Sequence, residues 1–155
     1  MQADKIMVTN PESAHIDEKV GDVLVRMRTK GLRMLPVLGE GDRVEGVIST
    51  FSVMTHIVPD YIVSGDLDSV PYAPDLGLLR RHYEELSGKS VKEVLEKALL
   101  VHAEESLLSV SASLSNFGKH EYALVVDEEQ KLLGVVSAGD ILDGLRMHLK
   151  DQPNG

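Results

Sequence analysis

The sequence predicts an α/β fold made of two copies of one β-α-β-β-α unit. The first observation is a repeated stretch: Gly46–Met54 (GVISTFSVM) returns as Gly134–Leu142 (GVVSAGDIL), 88 positions later (134 − 46). The second is that apolar residues at helical spacing precede both copies, and the third is an apolar hairpin that leads into each of them. Internal similarity at a fixed spacing is typical of a duplicated structural unit.

The first copy begins with a short extended stretch at Ala14–Asp17. Apolar residues then recur at i, i+3, i+4 and i+7 and predict a helix with Gly31 as its C-cap. These residues are Val20, Val23, Leu24 and Met27. The remaining predicted elements, in chain order, are a strand Met34–Leu38, a turn Gly39–Asp42, a strand Arg43–Ser49 and a helix Thr50–Ile57.

The second copy repeats this order of signals. Upstream of the hairpin the spacing falls to 87, so that Gly31 matches Gly118, and one inserted residue near His120 explains the change. The predicted elements are an extended stretch Leu99–Ala103, a helix near 106–116, a strand Tyr122–Val126, a turn Asp127–Gln130, a strand Lys131–Ser137 and a helix to about Leu149.

Between the copies, residues 58–75 contain three prolines and four aspartates but no Lys or Arg, which is linker composition. A helix is predicted from Pro74–Asp75 to Gly88, either as a strut packed on the duplicated core or as a lid or partner-binding element. Its apolar residues are Leu76, Leu79, Tyr83 and Leu86. The predicted division is a first repeat at 1–57, an acidic, Pro-containing linker plus helix at 58–88, a second repeat at 89–150 and a tail at 151–155.

Composition excludes several classes of protein. The formal net charge of −9 argues against binding along a nucleic-acid backbone. No apolar run approaches the roughly 18 residues of a membrane helix, and residues 1–5 do not resemble a signal peptide. The chain has no cysteine, which suits an intracellular protein. We therefore expect a cytoplasmic protein without a membrane or nucleic-acid partner.

No catalytic or metal-binding motif is apparent. The six histidines never fall at i, i+3 or i, i+4 from one another, so no helical metal pair is predicted. Gly39 and Gly41 lie in a hairpin turn rather than at the start of a helix, and a P-loop, a G-x-S-x-G motif and paired carboxylates are absent from the sequence. We predict neither a metal site nor an enzyme.

The end of the repeated stretch can hold a ligand. A strand that ends at Ser137 and continues into a helix presents a hydroxyl and backbone N–H groups where anions are favoured. Gly139 lets a ligand approach the backbone, and the Asp140 carboxylate can accept two hydrogen bonds from the vicinal diol of a ribose. The alternative is that Ser137 and Asp140 only cap the helix, which contributes about 1 kcal/mol.

The two repeats resemble the cystathionine β-synthase (CBS) domain over residues 4–57 and 90–150. The segments that carry the resemblance are Met7–Pro11, Leu35–Val37 and Gly134–Leu142, together with the matching frame at Gly46. The resemblance implies a tandem pair packed sheet to sheet about a pseudo-twofold axis, with two clefts that bind AMP, ADP, ATP, S-adenosylmethionine or dinucleotides of the NAD type. Such pairs are sensors rather than catalysts and commonly form homodimers through the last helix of each copy. The residues Met54, Leu142, Leu145 and Leu149 on these helices are expected to be either core or dimer contacts.

By this resemblance Ser137 contacts a phosphate and Asp140 contacts the ribose. The segment from Met7 to Ser13 forms the opposing wall for the adenine, and Lys119–His120 can meet a phosphate. The predicted ligand-binding residues are Met7, Pro11, Glu12, Ser13, His120, Glu121, Tyr122, Ser137, Gly139 and Asp140.

The first copy departs from this pattern. Ser52 stands at the position of Asp140, and Phe51 stands at that of Gly139 and is expected to fill space. A serine makes a neutral hydrogen bond where a carboxylate makes charge-assisted ones, so this cleft, facing 94–100, is expected to be weaker, empty or altered in specificity. Its predicted residues are Arg33 (as the approximate counterpart of His120), Met34, Ser49, Thr50, Ser52 and Leu99.

Three functions follow from these residues. The first is a regulatory module that binds an adenosine-containing ligand, chiefly at Asp140, and signals to a separate effector protein. The second is a dimerising scaffold with vestigial clefts, and the third, ranked last, is an enzyme acting on a nucleotide. No cofactor is required in the first; the adenine nucleotide or S-adenosylmethionine is the regulatory ligand.

Overall fold

A computed structural model describes residues 1–59 and 75–151. The chain divides into two compact units. Unit 1 comprises Met1–Glu12, Glu40–Val44 and the residues from Lys97 onward, and unit 2 comprises Ser13–Gly39 and Glu45–Glu96. The second β-α-β-β-α copy therefore lies in unit 1 together with the N-terminal segment, and most of the first copy lies in unit 2.

The predicted α/β class and both β-α-β-β-α copies are confirmed. Within the described residues the strands and helices are β1 Val8–Thr9, β2 Ala14–His15, α1 Val20–Thr29, β3 Met34–Leu38, β4 Val44–Ser49, α2 Thr50–Ile57, α3 Asp75–Ser87, β5 Leu99–His102, α4 Leu107–Phe117, β6 Tyr122–Val126, β7 Leu132–Ser137 and α5 Ala138–Asp151. The second strand of each hairpin starts one residue later than predicted, at Val44 and Leu132, because Arg43 and Lys131 pair with each other in an isolated bridge.

Unit 1 is built on a four-stranded sheet in the order β1-β7-β6-β5. Strands β5 and β6 are parallel, whereas β6 and β7 form the predicted antiparallel hairpin. Side chains from the sheet and from α4 and α5 form one apolar core. Its buried members are Ala3, Val101, Val110, Ala123, Val125, Val136 and Ile141.

Unit 2 contains a three-stranded sheet in the order β2-β3-β4. Its core draws on the predicted apolar face of α1 and on a short 3-10 turn at Val91–Val94. The buried residues are Ala14, Val20, Val23, Met27, Leu35, Val37, Ile48, Val53, Leu86, Val91 and Val94. After the turn, Glu96 pairs with Val47 through two backbone hydrogen bonds of 2.9 and 2.8 Å and so extends this sheet by one residue pair.

The backbone conformations of the two copies match in detail. The helices α1 and α4 both end at a glycine in the left-handed region, Gly31 (φ 67°) and Gly118 (φ 64°), as predicted for a C-cap. The hairpin turns share a second left-handed residue, Asp42 (φ 61°) and Gln130 (φ 68°), 88 positions apart. Helix starts differ by 87 positions and hairpin starts by 88, which confirms the inserted residue between Gly118 and the strand that begins at Tyr122.

The glycine that opens each repeated stretch is required by a close approach of the chain. A Cβ atom at Gly134 would lie 2.8 Å from both the Met7 Sδ and the Val8 carbonyl oxygen of the neighbouring strand. A Cβ atom at Gly46 would collide with the Glu96 carbonyl oxygen. Any larger residue would push the edge segment away from the sheet in either unit.

The linker helix has the predicted bounds, and its apolar residues differ in burial. Leu86 is buried, whereas Leu79 and Tyr83 are 38% and 37% exposed. The inward face also includes His82, whose Nδ1 lies 2.9 Å from the Ile57 carbonyl oxygen at the end of α2. The Leu76 side chain and residues 60–74 lie outside the described part of the chain.

Several apolar residues on the last helix of each copy are solvent-exposed rather than part of a core. Leu142 and Leu145 on α5 are 65% and 47% exposed, and Met54 on α2 is 48% exposed. They are therefore surface residues of this chain. The Leu149 side chain and residues 152–155 are not among those described.

Candidate functional site

The first candidate site is the turn from β7 into α5, which we call the Ser137 corner (Glu121, Tyr122 and Ser137–Asp140). Ser137 is the N-cap residue: its Oγ accepts a hydrogen bond from the Asp140 N–H at 3.0 Å. In return the Asp140 Oδ2 accepts one from the Ser137 N–H at 2.9 Å. This reciprocal pair is a capping box, and it holds the Asp140 carboxylate in a fixed position.

Strand β6 supplies the other side of the corner. Tyr122 lies opposite Ser137 in the β6–β7 register, and the Glu121 carbonyl oxygen accepts a hydrogen bond from the Ala138 N–H at 2.9 Å. Glu121 is exposed, whereas Tyr122 and His120 are half-buried. The His120 ring lies 5.8 Å from the Phe117 ring, measured between centroids.

Three polar groups at this corner have no hydrogen-bond partner among residues 1–59 and 75–151: the Gly139 N–H, the Ser137 O–H and the Asp140 Oδ1. Ser137 and Asp140 are half-buried and Gly139 is exposed. The two donors lie at the first turn of a helix of 14 residues, whose N-terminus favours an anion. The corner can therefore offer two donors to a phosphate and one carboxylate oxygen to a hydroxyl group.

The N-terminal segment reaches this corner only in part. Val8 lies opposite Val135 and Thr9 opposite Gly134, so Met7 is the predicted wall residue next to β7. Strand β1 ends at Thr9, and Asn10 follows it in a left-handed conformation (φ 50°). Beyond this turn, Pro11 is half-buried and Glu12 is exposed. Ser13 belongs to unit 2, where its carbonyl oxygen accepts a hydrogen bond from Arg26 at 2.8 Å.

The second candidate site is the turn from β4 into α2, which we call the Ser49 corner (Arg33, Met34 and Ser49–Ser52). It has the same capping box, because the Ser52 N–H donates to Ser49 Oγ at 2.9 Å and the Ser49 N–H donates to Ser52 Oγ at 3.1 Å. The Ser52 hydroxyl also donates to the Ser49 carbonyl oxygen at 2.9 Å. Ser52 is 3% exposed, so its hydroxyl is sealed inside the cap and cannot meet a ligand.

Other contacts of the Ser49 corner differ from the sequence prediction. The Thr50 N–H donates to the Arg33 carbonyl oxygen at 3.0 Å, which makes Arg33 the counterpart of Glu121 rather than of His120, since the inserted residue precedes Glu121. Phe51, which was expected to fill space, has a side chain that is 68% exposed. Leu99 lies in unit 1, where it pairs with Ala123.

Sequence reasoning missed Glu96. Its Oε1 accepts a hydrogen bond of 2.9 Å from the Ser49 hydroxyl, so unit 2 has a carboxylate at its corner that comes from outside the repeated stretch. Glu96 matches Val8 because their strand partners, Val47 and Val135, lie 88 positions apart, and this match is the signal that could have revealed Glu96. It becomes informative only once the strand pairing is known.

A separate groove lies at the opposite end of the unit 1 sheet. It has a volume of about 640 Å³, and no predicted site residue lines it. The lining residues are His102, Ala103, Glu104, Val126, Asp127, Glu128, Glu129 and Leu133. The described residues include no cluster of three or more His, Asp or Glu side chains able to hold a metal ion.

The described arrangement of both units agrees with a known family. The CBS domain family model matches residues 3–59 and 91–146, most of the chain. The chain belongs to the CBS domain family. CBS domain pairs are generally regulatory rather than catalytic modules, and both copies of the domain are present here.

Relatives of this CBS pair are distant in sequence. An uncharacterized protein of Methanocaldococcus jannaschii, MJ1426, is 23% identical over 150 residues, covering 91% of this chain and 89% of its own. A CBS domain-containing protein of unknown function from Kribbella flavida has the same fold, with a TM-score of 0.74 and 18% identity over 94% of this chain and 99% of its own. CBSX2, solved in complex with AMP, has a TM-score of 0.70 and 19% identity over 95% and 97% of the two chains.

Across the described helices of this CBS pair, none combines the length and the apolar character needed to cross a membrane.

Proposed function

We propose that this CBS pair is a regulatory module that binds an adenosine-containing ligand at the Ser137 corner. One observation carries the proposal: the capping box fixes the Asp140 carboxylate through Oδ2 and leaves Oδ1 available beside the Gly139 N–H and the Ser137 O–H. A carboxylate oxygen next to two donors is the combination that a nucleoside phosphate needs. The AMP complex of CBSX2, a structural relative, supports this class of ligand.

Each group has a role in this proposal. The Gly139 N–H and the Ser137 O–H donate to the phosphate, or to the carboxylate of S-adenosylmethionine, and Asp140 accepts from a ribose hydroxyl. Met7 and Tyr122 provide half-buried apolar surface for the adenine, and His120 and Glu121 line the phosphate and sugar side. Pro11 and Glu12, which follow the turn at Asn10, close the wall.

The response passes to a separate protein. The proposed output is a change in the surface that this partner contacts. The exposed residues Leu142 and Leu145 on α5 are the proposed homodimer contact, since surface leucines gain free energy when a second copy buries them.

A dimerising scaffold without ligand is the second candidate. The observation in its favour is that the capping box alone accounts for Ser137 and Asp140, since the Ser49 corner has the same box with no carboxylate in the repeated stretch. The two candidates differ in whether the charge of Asp140 is needed for more than the cap.

The experiment that separates them replaces Asp140 by the residue of its twin. Asp140→Ser keeps a capping box of the Ser49–Ser52 type but removes the carboxylate. Calorimetric titration with AMP, ADP, ATP and S-adenosylmethionine should give binding to the wild type that weakens about tenfold to a hundredfold in Asp140→Ser, since hydrogen bonds to charged groups contribute about 1.5–3 kcal/mol. Ser106→Ala, which removes the N-cap bond of α4 to the Ser109 N–H, is the matched control and should leave affinity unchanged. Wild type that binds none of the four ligands, or equal affinity in Asp140→Ser, would favour the scaffold.

A further inference from the structure

The two corners differ most in a side chain that lies outside the repeated stretch. In unit 2, Glu96 is paired with Val47 at the edge of the sheet and its carboxylate accepts a hydrogen bond from the Ser49 hydroxyl at 2.9 Å. In unit 1, the same edge position is held by Val8, which is paired with Val135 and is 54% exposed. A carboxylate therefore stands at one corner where the other has an uncharged, exposed side chain.

The hydrogen bonds of the two serines show the effect of this carboxylate. Ser49 Oγ accepts from the Ser52 N–H and donates its only proton to Glu96, so the hydroxyl has no donor left for a ligand. Ser137 Oγ accepts from the Asp140 N–H, and its proton has no partner in the described part of the chain. The group proposed to meet a phosphate is thus already used in one corner and available in the other.

Charge adds to this difference. A phosphate bound at the Ser49 corner would lie close to the Glu96 carboxylate. Two negative charges at close range repel each other. The carboxylate itself already occupies the favourable position near the N-terminus of α2, where an anion interacts with the helix dipole.

We propose that Glu96 is a built-in occupant of the Ser49 corner, which closes this corner to nucleotides and limits the chain to one ligand, at the Ser137 corner. The inference rests on the proposed function at the Ser137 corner and deepens it. Glu96 then determines the number of ligands per chain, because Ser52 alone would only weaken the first corner. Val8 is the residue that keeps the other corner open.

Two exchanges of twin residues test the proposal. Glu96→Val with Ser52→Asp gives the Ser49 corner both features of the Ser137 corner. Val8→Glu places a carboxylate beside Ser137 at an exposed position that tolerates a charge. Calorimetric titration with AMP should give one equivalent for the wild type, two for Glu96→Val/Ser52→Asp, and at least tenfold weaker binding for Val8→Glu. Thermal melts of each variant show whether it is folded, and Val8→Thr is the control for the loss of the valine.

The outcomes separate this proposal from the proposed function. Two equivalents in the wild type, or one equivalent in a folded Glu96→Val/Ser52→Asp, would overturn the role of Glu96 and leave the Ser137 site standing. If the wild type binds no AMP but the double variant binds one equivalent, the role of Glu96 holds and the Ser137 site falls. No AMP binding in either protein would overturn both. Should the double variant not fold, unchanged affinity in Val8→Glu would be the contradicting result.

Discussion

The Ser49 and Ser137 corners have the same backbone and different chemistry. Each has a serine N-cap, a capping box and an N–H that donates to the carbonyl oxygen just before the neighbouring strand, at 3.0 Å for Thr50 and 2.9 Å for Ala138. In unit 2 the cap is completed by a buried hydroxyl, and the Ser49 hydroxyl donates to Glu96. In unit 1 the cap is completed by a half-buried carboxylate with one oxygen left over. The duplicated strand-to-helix turn therefore keeps its geometry through capping. The polar groups that have no hydrogen bond within the cap determine what each turn can bind.

The largest expected effect on stability concerns the close packing at Gly46 and Gly134, which both units share. Gly46→Val and Gly134→Val should each lower the free energy of unfolding by about 2 to 3 kcal/mol, because the added side chain collides with the edge segment of its unit. Urea unfolding measures the loss. Gly88→Ala is the control, since a Cβ atom there would approach only the Glu85 carbonyl oxygen, at 3.9 Å. Wild-type stability in either valine variant would mean that the edge segments do not pack as described.

Exchanging the third residue of the two caps should give unequal results. Ser52→Asp should lower the free energy of unfolding by about 1 to 2 kcal/mol, because it buries a carboxylate near Glu96 and removes a hydroxyl donor. Asp140→Ser should cost less than about 1 kcal/mol, because a serine completes the same box in unit 2. Adding Glu96→Val to Ser52→Asp should recover part of the loss in a double-mutant cycle. Equal losses in the two single variants would show that the corners do not differ in charge.

The smallest effect concerns matched glutamates that precede the first helix of each copy. Glu18 accepts from the His15 N–H at 2.8 Å, and Glu105 accepts from the His102 N–H at 2.7 Å. Only Glu18 also meets an arginine: the Arg26 guanidinium hydrogen-bonds to it at 2.6 Å and holds the pKa of Glu18 below its ordinary value of 4.5. A lowered pKa stabilises the folded state at pH values above the ordinary pKa, and this contribution is lost as the pH falls from the ordinary pKa through the lowered one.

Glu18→Gln should therefore cost about 0.5 to 1 kcal/mol more than Glu105→Gln at pH 7, a small figure because about a third of both side chains in the ion pair is exposed. The extra cost should vanish as the pH falls through the lowered pKa of Glu18. Chemical unfolding of both variants at neutral and acid pH measures the difference. A difference that does not change with pH would assign it to packing rather than to charge.

Much of the fold could be predicted from the sequence, because patterns over a few residues determine its helices, turns and hairpins. Apolar spacing predicted α1 and α4, the glycines at 31 and 118 predicted their ends, and the spacing of the two copies predicted the hairpins. The apolar spacing of α3 predicted the helix but not which residues it buries: Leu86 is buried, whereas Leu79 and Tyr83 are exposed.

The site could be predicted from the sequence only in part. A repeat shows which side chains lie at matching positions, but it does not show which residues they contact on neighbouring strands. Ser137, Gly139 and Asp140 do lie together, with Tyr122 opposite Ser137. The contact between Ser49 and Glu96 spans 47 residues and depends on a single backbone pairing, so no local pattern could reveal it. The ligand roles of these residues remain predictions.

The most direct test of the account is to follow the backbone amide signals of the labelled protein by NMR during titration with AMP. We expect the amide signals of Ser137, Gly139 and Asp140 to shift progressively to saturation, while those of Ser49, Phe51 and Ser52 stay in place. Shifts centred on Phe51, or on the Asp127–Glu129 groove, with Gly139 unmoved, would contradict it.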